Sequence, residues 1–298
     1  MSINSRYKIA SNYLFATRPW SLSASVTPAL LGNLIAKTEF NNFNWSIFII
    51  SLLCVVFVHC GGNLVNTYYD YQNNVDNSLS DDLTLVKKYI EPDSLFWFFI
   101  VLYGFGSFFF IIILKLSNCE TSHLFILFIS GFICSFFYTG SFGLKYHAFG
   151  EVVIALAFGP ISVLFPFIAQ TGIASFFPVL YVIPLVINTE AILHGNNSRD
   201  AEDDKKSGIV TVSILIGEKY SYWLYTLLLF LPYFFVFTLV AMKSFFFSIT
   251  FVTLPFALKL ESCFCQNLKY IPQQTAMLNL NFGFFYLCAF VLDFLFLI

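Results

Sequence analysis

Two sets of oxygen-bearing side chains in this chain have the spacing to act together. His59, Asn63, Asn66 and Asp70 fall at i, i+4, i+7 and i+11, one face of a helix. Asn196, Asp200 and Asp204 repeat the pattern at i, i+4 and i+8, and Asp76 follows the first set. In each set an Asn precedes an Asp by four residues, Asn66 before Asp70 and Asn196 before Asp200. Carboxylates brought face to face repel unless cations lie between them. Oxygen donors at this density suit magnesium, which keeps waters and completes its shell with substrate phosphates. The expected metal ligands are Asp70, Asp76, Asp200 and Asp204, with Asn66 and Asn196 completing the polar shell. A ligand with two phosphoryl groups would bridge the sets, and Lys87, Lys88, Lys145, Arg199 and Lys205 are placed to supply countercharge. Asp81, Asp82, Glu202 and Asp203 are less determined and read equally as a solvated loop face.

The elements that must position these groups are membrane helices. Of 298 residues, 58% are hydrophobic and only 11% charged, about half the charged share of a soluble domain. Apolar runs near the length of one bilayer crossing recur along the whole chain. They place candidate crossings near 20–36, 46–66, 95–114, 122–141, 150–170, 176–195, 220–240, 244–260 and 277–296. Two connections, Thr67 to Ser94 and Asn196 to Tyr220, read as long polar loops and hold most of the acids. Polar stripes at the ends of apolar helices must face the bundle interior, because lipid would penalise them. The expectation is an all-α membrane protein of about nine crossings around a central cavity, one domain over residues 1–298, with both acidic motifs in loops capping it.

Charge tests the topology. With nine crossings, only Lys37, Lys115 and Lys243 of the 15 Lys and Arg residues lie opposite the N-terminus. Basic residues gather on the cytosolic side, so the N-terminus and both acidic loops are expected there. The scattered positive charge and a net charge of -2 give no nucleic-acid surface. The seven Cys, odd in number and mostly inside apolar runs, read as packing thiols rather than a disulfide framework. Met1 to Trp20 lacks the apolar core of a signal peptide. Its Arg6, Lys8 and Arg18, without an acid, leave a mitochondrial membrane open as a destination.

At Gly62-Asn-Leu-Val-Asn-Thr-Tyr-Tyr-Asp70, Tyr138-Thr-Gly140, Thr189-Glu-Ala-Ile-Leu-His194, Asn196-Asn-Ser-Arg-Asp200 and Gly208-Ile-Val-Thr211, the sequence resembles the UbiA superfamily of intramembrane prenyltransferases. Within it, the likeness is to the animal branch that makes menaquinone-4, and it runs from Arg18-Pro-Trp-Ser21 to Pro272-Gln-Gln-Thr-Ala-Met-Leu-Asn279. The resemblance implies Mg2+ and a prenyl diphosphate held by Asn66, Asp70 and Asp76 with Asn196, Asp200 and Asp204. It implies a diphosphate contact from Lys145, geranylgeranyl diphosphate as donor, and a naphthoquinol, menadiol, as acceptor. It further implies endoplasmic reticulum or Golgi membranes and association with the sterol-pathway reductase. Acceptors such as 4-hydroxybenzoate or dihydroxynaphthoate, and a prenyl-diphosphate-sensing role beside that reductase, fit the same motifs. No general base is assigned, since His59 and His194 read equally as core or capping histidines.

Three positions depart from the family pattern. Leu83 stands where the family commonly has Arg, so a diphosphate contact is lost or passes to Lys87 or Lys88. Glu151 replaces a common Asp, and Gly195 a Ser; both are mild.

Overall fold

The computed structural model describes residues 3–76, 82–266 and 268–296, without the side chains of residues 3–8. Asp81 therefore lies outside the described residues. Helices make up nearly all of it: α1 Ile3–Ala16, α2 Ser23–Thr38, α3 Trp45–Gln72, α4 Pro92–Leu116, α5 Thr121–Phe137, α6 Gly150–Leu156, α7 Ser162–Thr171, α8 Phe177–Lys206, α9 Val212–Met242, α10 Leu254–Phe264 and α11 Ile271–Phe296. A π-turn, Ala157–Ile161, joins α6 to α7, and a 3-10 run, Phe245–Thr253, leads into α10.

Among the described residues, seven helical segments are long and apolar enough to cross a bilayer. The crossing expected near 122–141 is the shorter apolar helix Thr121–Phe137. The one near 20–36 is α2, 16 residues with Pro28 inside. Each expected crossing thus finds a helical element. Two of them fall short of a full span, so the length criterion supports seven rather than nine.

The larger correction concerns the two cap loops. Helix α3 continues through Asp70 to Gln72, and α8 continues through Asn196, Asp200 and Asp204 to Lys206. Asn66–Gln72 and the whole second motif are helical, and only Asp76 lies beyond a helix end. Reading helices from hydropathy stops them where polar residues begin, yet Glu, Lys, Arg and Gln are good helix formers and water satisfies the outer backbone. Lys205 and Lys206 in the last turn of α8 also oppose its dipole. The helix stops at Ser207 because Gly208 turns the chain at φ +75°.

Two apolar clusters hold the bundle. One joins α2, α7, α8, α9 and α11 through Leu31, Phe167, Leu185, Tyr225 and Phe282, all fully buried or nearly so. The other joins α1, α3 and α4 through Ala16, Leu64, Leu95 and Phe99. Helices α2 and α7 approach so closely that a Cβ on Gly32 would collide with the Val163 carbonyl. Between the clusters lies a cavity.

Candidate active site

The cavity measures about 1330 Å³, a volume suited to a long ligand. Its mouth is charged: Arg18, Asp70, Asp76, Asp82, Lys145, Arg199, Asp200 and Asp204 all line it. Its walls below are apolar and aromatic, including Val55, Val58, Phe128, Phe158, Ile161 and Phe165. Phe15, Trp20, Met277 and Leu280 line the cavity and are also exposed on the outer surface. The space therefore reaches the lipid-facing side between the start of α2 and α11.

The first motif is tightly framed. Asp70 accepts from Lys145 Nζ at 2.6 Å and from the Tyr146 hydroxyl at 2.7 Å. Lys145 also donates to Asn66 Oδ1 at 2.9 Å, and Thr139 donates to the same oxygen at 3.1 Å. Lys145 and Tyr146 form one 3-10 turn, Leu144–Tyr146, entered through Gly143 at φ +54°. A Cβ there would strike the Tyr146 ring, so glycine is required on both counts. Two backbone bonds fasten this turn to the segment after α8: Ala148 N to Val210 O at 2.8 Å and Val210 N to Tyr146 O at 3.0 Å. Lys145 is thus anchored to both motifs.

After α3 the chain folds back, with Val75 N and Asp76 N donating to the Asp70 carbonyl at 2.9 and 3.3 Å. Asp76 faces the mouth, and among the described residues no cation is bonded to it. Burial, then the neighbouring Asp70 and Asp82, push its carboxyl up to about 7. A carboxylate in that state favours a cation.

The second motif is looser. Arg199 grips Asp200 through two 2.7 Å bonds, yet the Asp200 side chain stays 45% exposed. Asn196, Asp203 and Asp204 line the mouth beside it, and Asn197 donates to Glu151 Oε1 at 3.0 Å. Glu202 is exposed and away from the cavity.

Lys87 and Lys88 are not brought to the site. Both are exposed and neither lines the cavity. Buried Thr84, Leu85 and Ile90 anchor that segment, and Lys88 turns outward at φ +52°. A second guanidinium at the mouth, besides that of Arg199, belongs to Arg18, which the sequence reading placed in the N-terminal basic stretch and at the start of the family likeness but gave no role at the site. It donates to Asp82 at 2.8 Å and to Thr67 Oγ1 at 3.4 Å, reached through a left-handed backbone at φ 51° before the 3-10 turn Pro19–Ser21. Burial alone would raise the Asp82 carboxyl. Arg18, with bonds from Thr67 and Thr84, outweighs it and holds that carboxyl well below the usual range. Arg18 sits next to the place that Leu83 leaves without a cation. Its sequence signals were its place at the start of the family likeness, Arg18-Pro-Trp-Ser21, and its position just ahead of the first expected crossing.

His59 lines the cavity, bonded to Ser25 and Ser21, while His194 is buried against the Ser221 carbonyl away from it.

A family model described as the UbiA prenyltransferase family matches residues 25–289. The chain belongs to the UbiA prenyltransferase family. It is 43% identical to human UbiA prenyltransferase domain-containing protein 1 over 96% of this chain and 85% of that one. With the Danio rerio protein of that name it shares 42% identity, over 98% and 87% of the two chains. With the Drosophila melanogaster homolog it shares 45%, over 93% and 78%. The fold is that of solved UbiA homologues. The apo homologue from Aeropyrum pernix K1 superposes at a TM-score of 0.70 with 15% identity, covering 91% and 97%. The Archaeoglobus fulgidus homologue bound to GPP and Mg2+ superposes at 0.66 with 15% identity, covering 94% and 99%. This UbiA chain is therefore a multi-pass membrane prenyltransferase.

The donor set at the mouth fits magnesium in kind, since every candidate ligand is an oxygen. Among the described residues no three acidic, His or Cys groups close around one point. That arrangement suits ions that take one or two carboxylates and finish their shell with phosphate and water, rather than a cage of protein ligands.

Proposed function

We propose that this chain transfers a geranylgeranyl group from its diphosphate to a ring carbon of menadiol, giving menaquinone-4, with Mg2+ held by Asp70, Asp76, Asp200 and Asp204. The observation that carries the reading is one cavity whose charged mouth opens directly onto an aromatic interior. Magnesium, when bound, would polarise the phosphate oxygens and favour departure of diphosphate. Lys145 and Arg199 would neutralise the charge that gathers on the leaving group, and Arg18 stands beside them.

The allylic C–O bond breaks with its electron pair going to diphosphate, the ring carbon bonds to the allylic carbon, and the proton on that ring carbon then passes to the released diphosphate. The cation formed between these events would lie against Phe158 and Tyr138, whose faces are electron-rich and exclude water. An uncharged acceptor is favoured by where the cations are. Among the described residues the Lys and Arg side chains lining the cavity are Arg18, Lys145, Arg199 and Lys269, and walls such as Val55, Phe128, Phe158 and Phe165 offer nothing to neutralise the carboxylate of a hydroxybenzoate or dihydroxynaphthoate. Residues 1–298 act as one domain in this reading, in endoplasmic reticulum or Golgi membranes, with the N-terminus and the cavity mouth cytosolic.

The test offers membranes carrying the expressed protein labelled geranylgeranyl diphosphate with each acceptor in turn. Menadiol should be prenylated and chelator should stop it. Product from 4-hydroxybenzoate with none from menadiol would overturn the acceptor, and indifference to chelator would overturn the metal.

A further inference from the structure

One face of α3 lines the cavity from the mouth inward: Asp70, Asn66, Asn63, His59, Val55 and Cys54. The helix is continuous over these residues, so Cys54 lies about 24 Å from Asp70 along its axis. The α3 lining ends there. On the two helices beside it, the lining ends at Leu127 and Phe128 of α5 and at Phe165 of α7. One turn further on, Ser51, Leu124 and Ala169 are 0%, 0% and 1% exposed and no longer line the space. This arm of the cavity is therefore closed at its inner end.

The closure is stiff. Phe128 stacks on Phe110 with ring centroids 4.2 Å apart and planes 5° from parallel, and Phe165 meets the same ring at 6.3 Å. Phe110 is buried and does not line the cavity, so it backs both rings. Beyond them lies a polar layer rather than more apolar packing. Buried Asn33 donates to Ser51 Oγ at 3.3 Å and accepts from Gln170 Nε2 at 2.8 Å, while Gln170 Oε1 accepts from the Asn44 backbone N–H at 2.7 Å. An apolar chain pushed past the rings would break hydrogen bonds that no water could replace.

We infer that this arm takes the prenyl chain of the donor, and that Phe128 and Phe165 limit that chain to four isoprene units. This rests on the reading that the diphosphate is held at the mouth. An extended chain advances about 1.2 Å per bond, so the sixteen main-chain carbons of a four-unit chain reach about 19 Å. The diphosphate and its ion then fill the remaining turn of helix beneath Asp70. A fifth unit would add about 5 Å and run into the rings. The other way out of the cavity, between the start of α2 and α11, faces lipid and would set no limit on length.

The experiment measures binding of unreactive prenyl thiodiphosphates of two, three, four and five isoprene units to the protein in lipid nanodiscs, in wild type, Phe128→Ala, Phe165→Ala and Val55→Phe. Binding needs no acceptor, so the result is independent of which ring is prenylated. In wild type, affinity should rise up to four units, and the five-unit compound should bind about tenfold more weakly than the four-unit one, the low end for misfit in an apolar pocket. Phe128→Ala and Phe165→Ala should each remove that penalty. Val55→Phe, which fills the last turn of the arm, should move it to the four-unit compound. The two-unit compound, too short to reach the rings, reports whether the mouth of each variant is intact, and a variant that fails to bind it leaves the decision to the other two. A five-unit compound bound by wild type as tightly as the four-unit one would overturn the inference, as would a limit that none of the substitutions moves. Wild-type protein that binds none of the four compounds would instead remove the donor reading beneath it.

Discussion

The two aspartate motifs close equivalent helix ends but are held in opposite ways. Asp70 is 8% exposed and bonded to Lys145 and Tyr146, which come from a turn 75 and 76 residues along the chain. Asp200 is 45% exposed and gripped by its own neighbour, Arg199. A long-range cluster of this kind is ordered by the fold itself. The Arg199–Asp200 pair is sequence-local and half-exposed, so less of the fold depends on it. The first motif is therefore preorganised, and the second adapts when donor arrives.

That contrast is open to breakage. Asp70→Asn should lower prenyl transfer about 10³-fold, at the upper end for removal of one preorganised electrostatic group, and should also lower thermal stability because Lys145 loses its partner in a half-closed site. Asp200→Asn should cost nearer 10²-fold, expressed mainly as a higher KM for the prenyl diphosphate, with no change in melting. Double-mutant cycles sharpen the point. Asp70→Asn with Lys145→Gln should couple by about 1–3 kcal/mol in stability, while Asp200→Asn with Arg199→Gln should couple by less than about 1 kcal/mol, as exposed pairs do. Equal couplings would abolish the distinction.

The sequence carried the Asn-x-x-x-Asp faces, their common side of the bundle, and Lys145, because helical spacing and charge asymmetry are local or additive signals. It misled where hydropathy stands in for helix length. Asp200 and Asp204 were read as loop residues although α8 runs to Lys206, since a helix leaving the membrane changes composition without changing conformation. It also missed Arg18. Its bond to Asp82 spans 64 residues and depends on a left-handed turn that no periodicity reveals. The outward turn of Lys88 is local, a left-handed residue at φ +52° that likewise leaves no periodic signal.

Arg18 supplies the next test. Arg18→Gln removes the guanidinium at the mouth and leaves Asp82 buried beside Asp70 and Asp76. The KM for prenyl diphosphate should rise about 30-fold, in keeping with loss of a charge-assisted contact. Leu83→Arg in that background should restore part of it, and Lys87→Ala with Lys88→Ala in the wild type should do nothing. A large effect from the two lysines would move the missing contact back to them.

The smallest effect is the pH dependence of metal binding, and it arises at Asp76, the one motif residue beyond a helix end. Burial and the neighbouring Asp70 and Asp82 raise its carboxyl to about 7, so protons and Mg2+ compete for it near neutrality. In the proposed function ionised Asp76 would bind the ion and protonated Asp76 would not, so apparent Mg2+ affinity should rise with pH through 7. One proton sets the limit at about tenfold between pH 6 and pH 8. Asp76→Asn should bind Mg2+ more weakly and flatten the dependence. The Asp200→Asn variant should keep most of its slope, because it leaves Asp76 and its neighbours Asp70 and Asp82 in place. Magnesium titrations at the two pH values measure this, and a slope that vanished with Asp200 rather than Asp76 would exchange the roles of the two motifs.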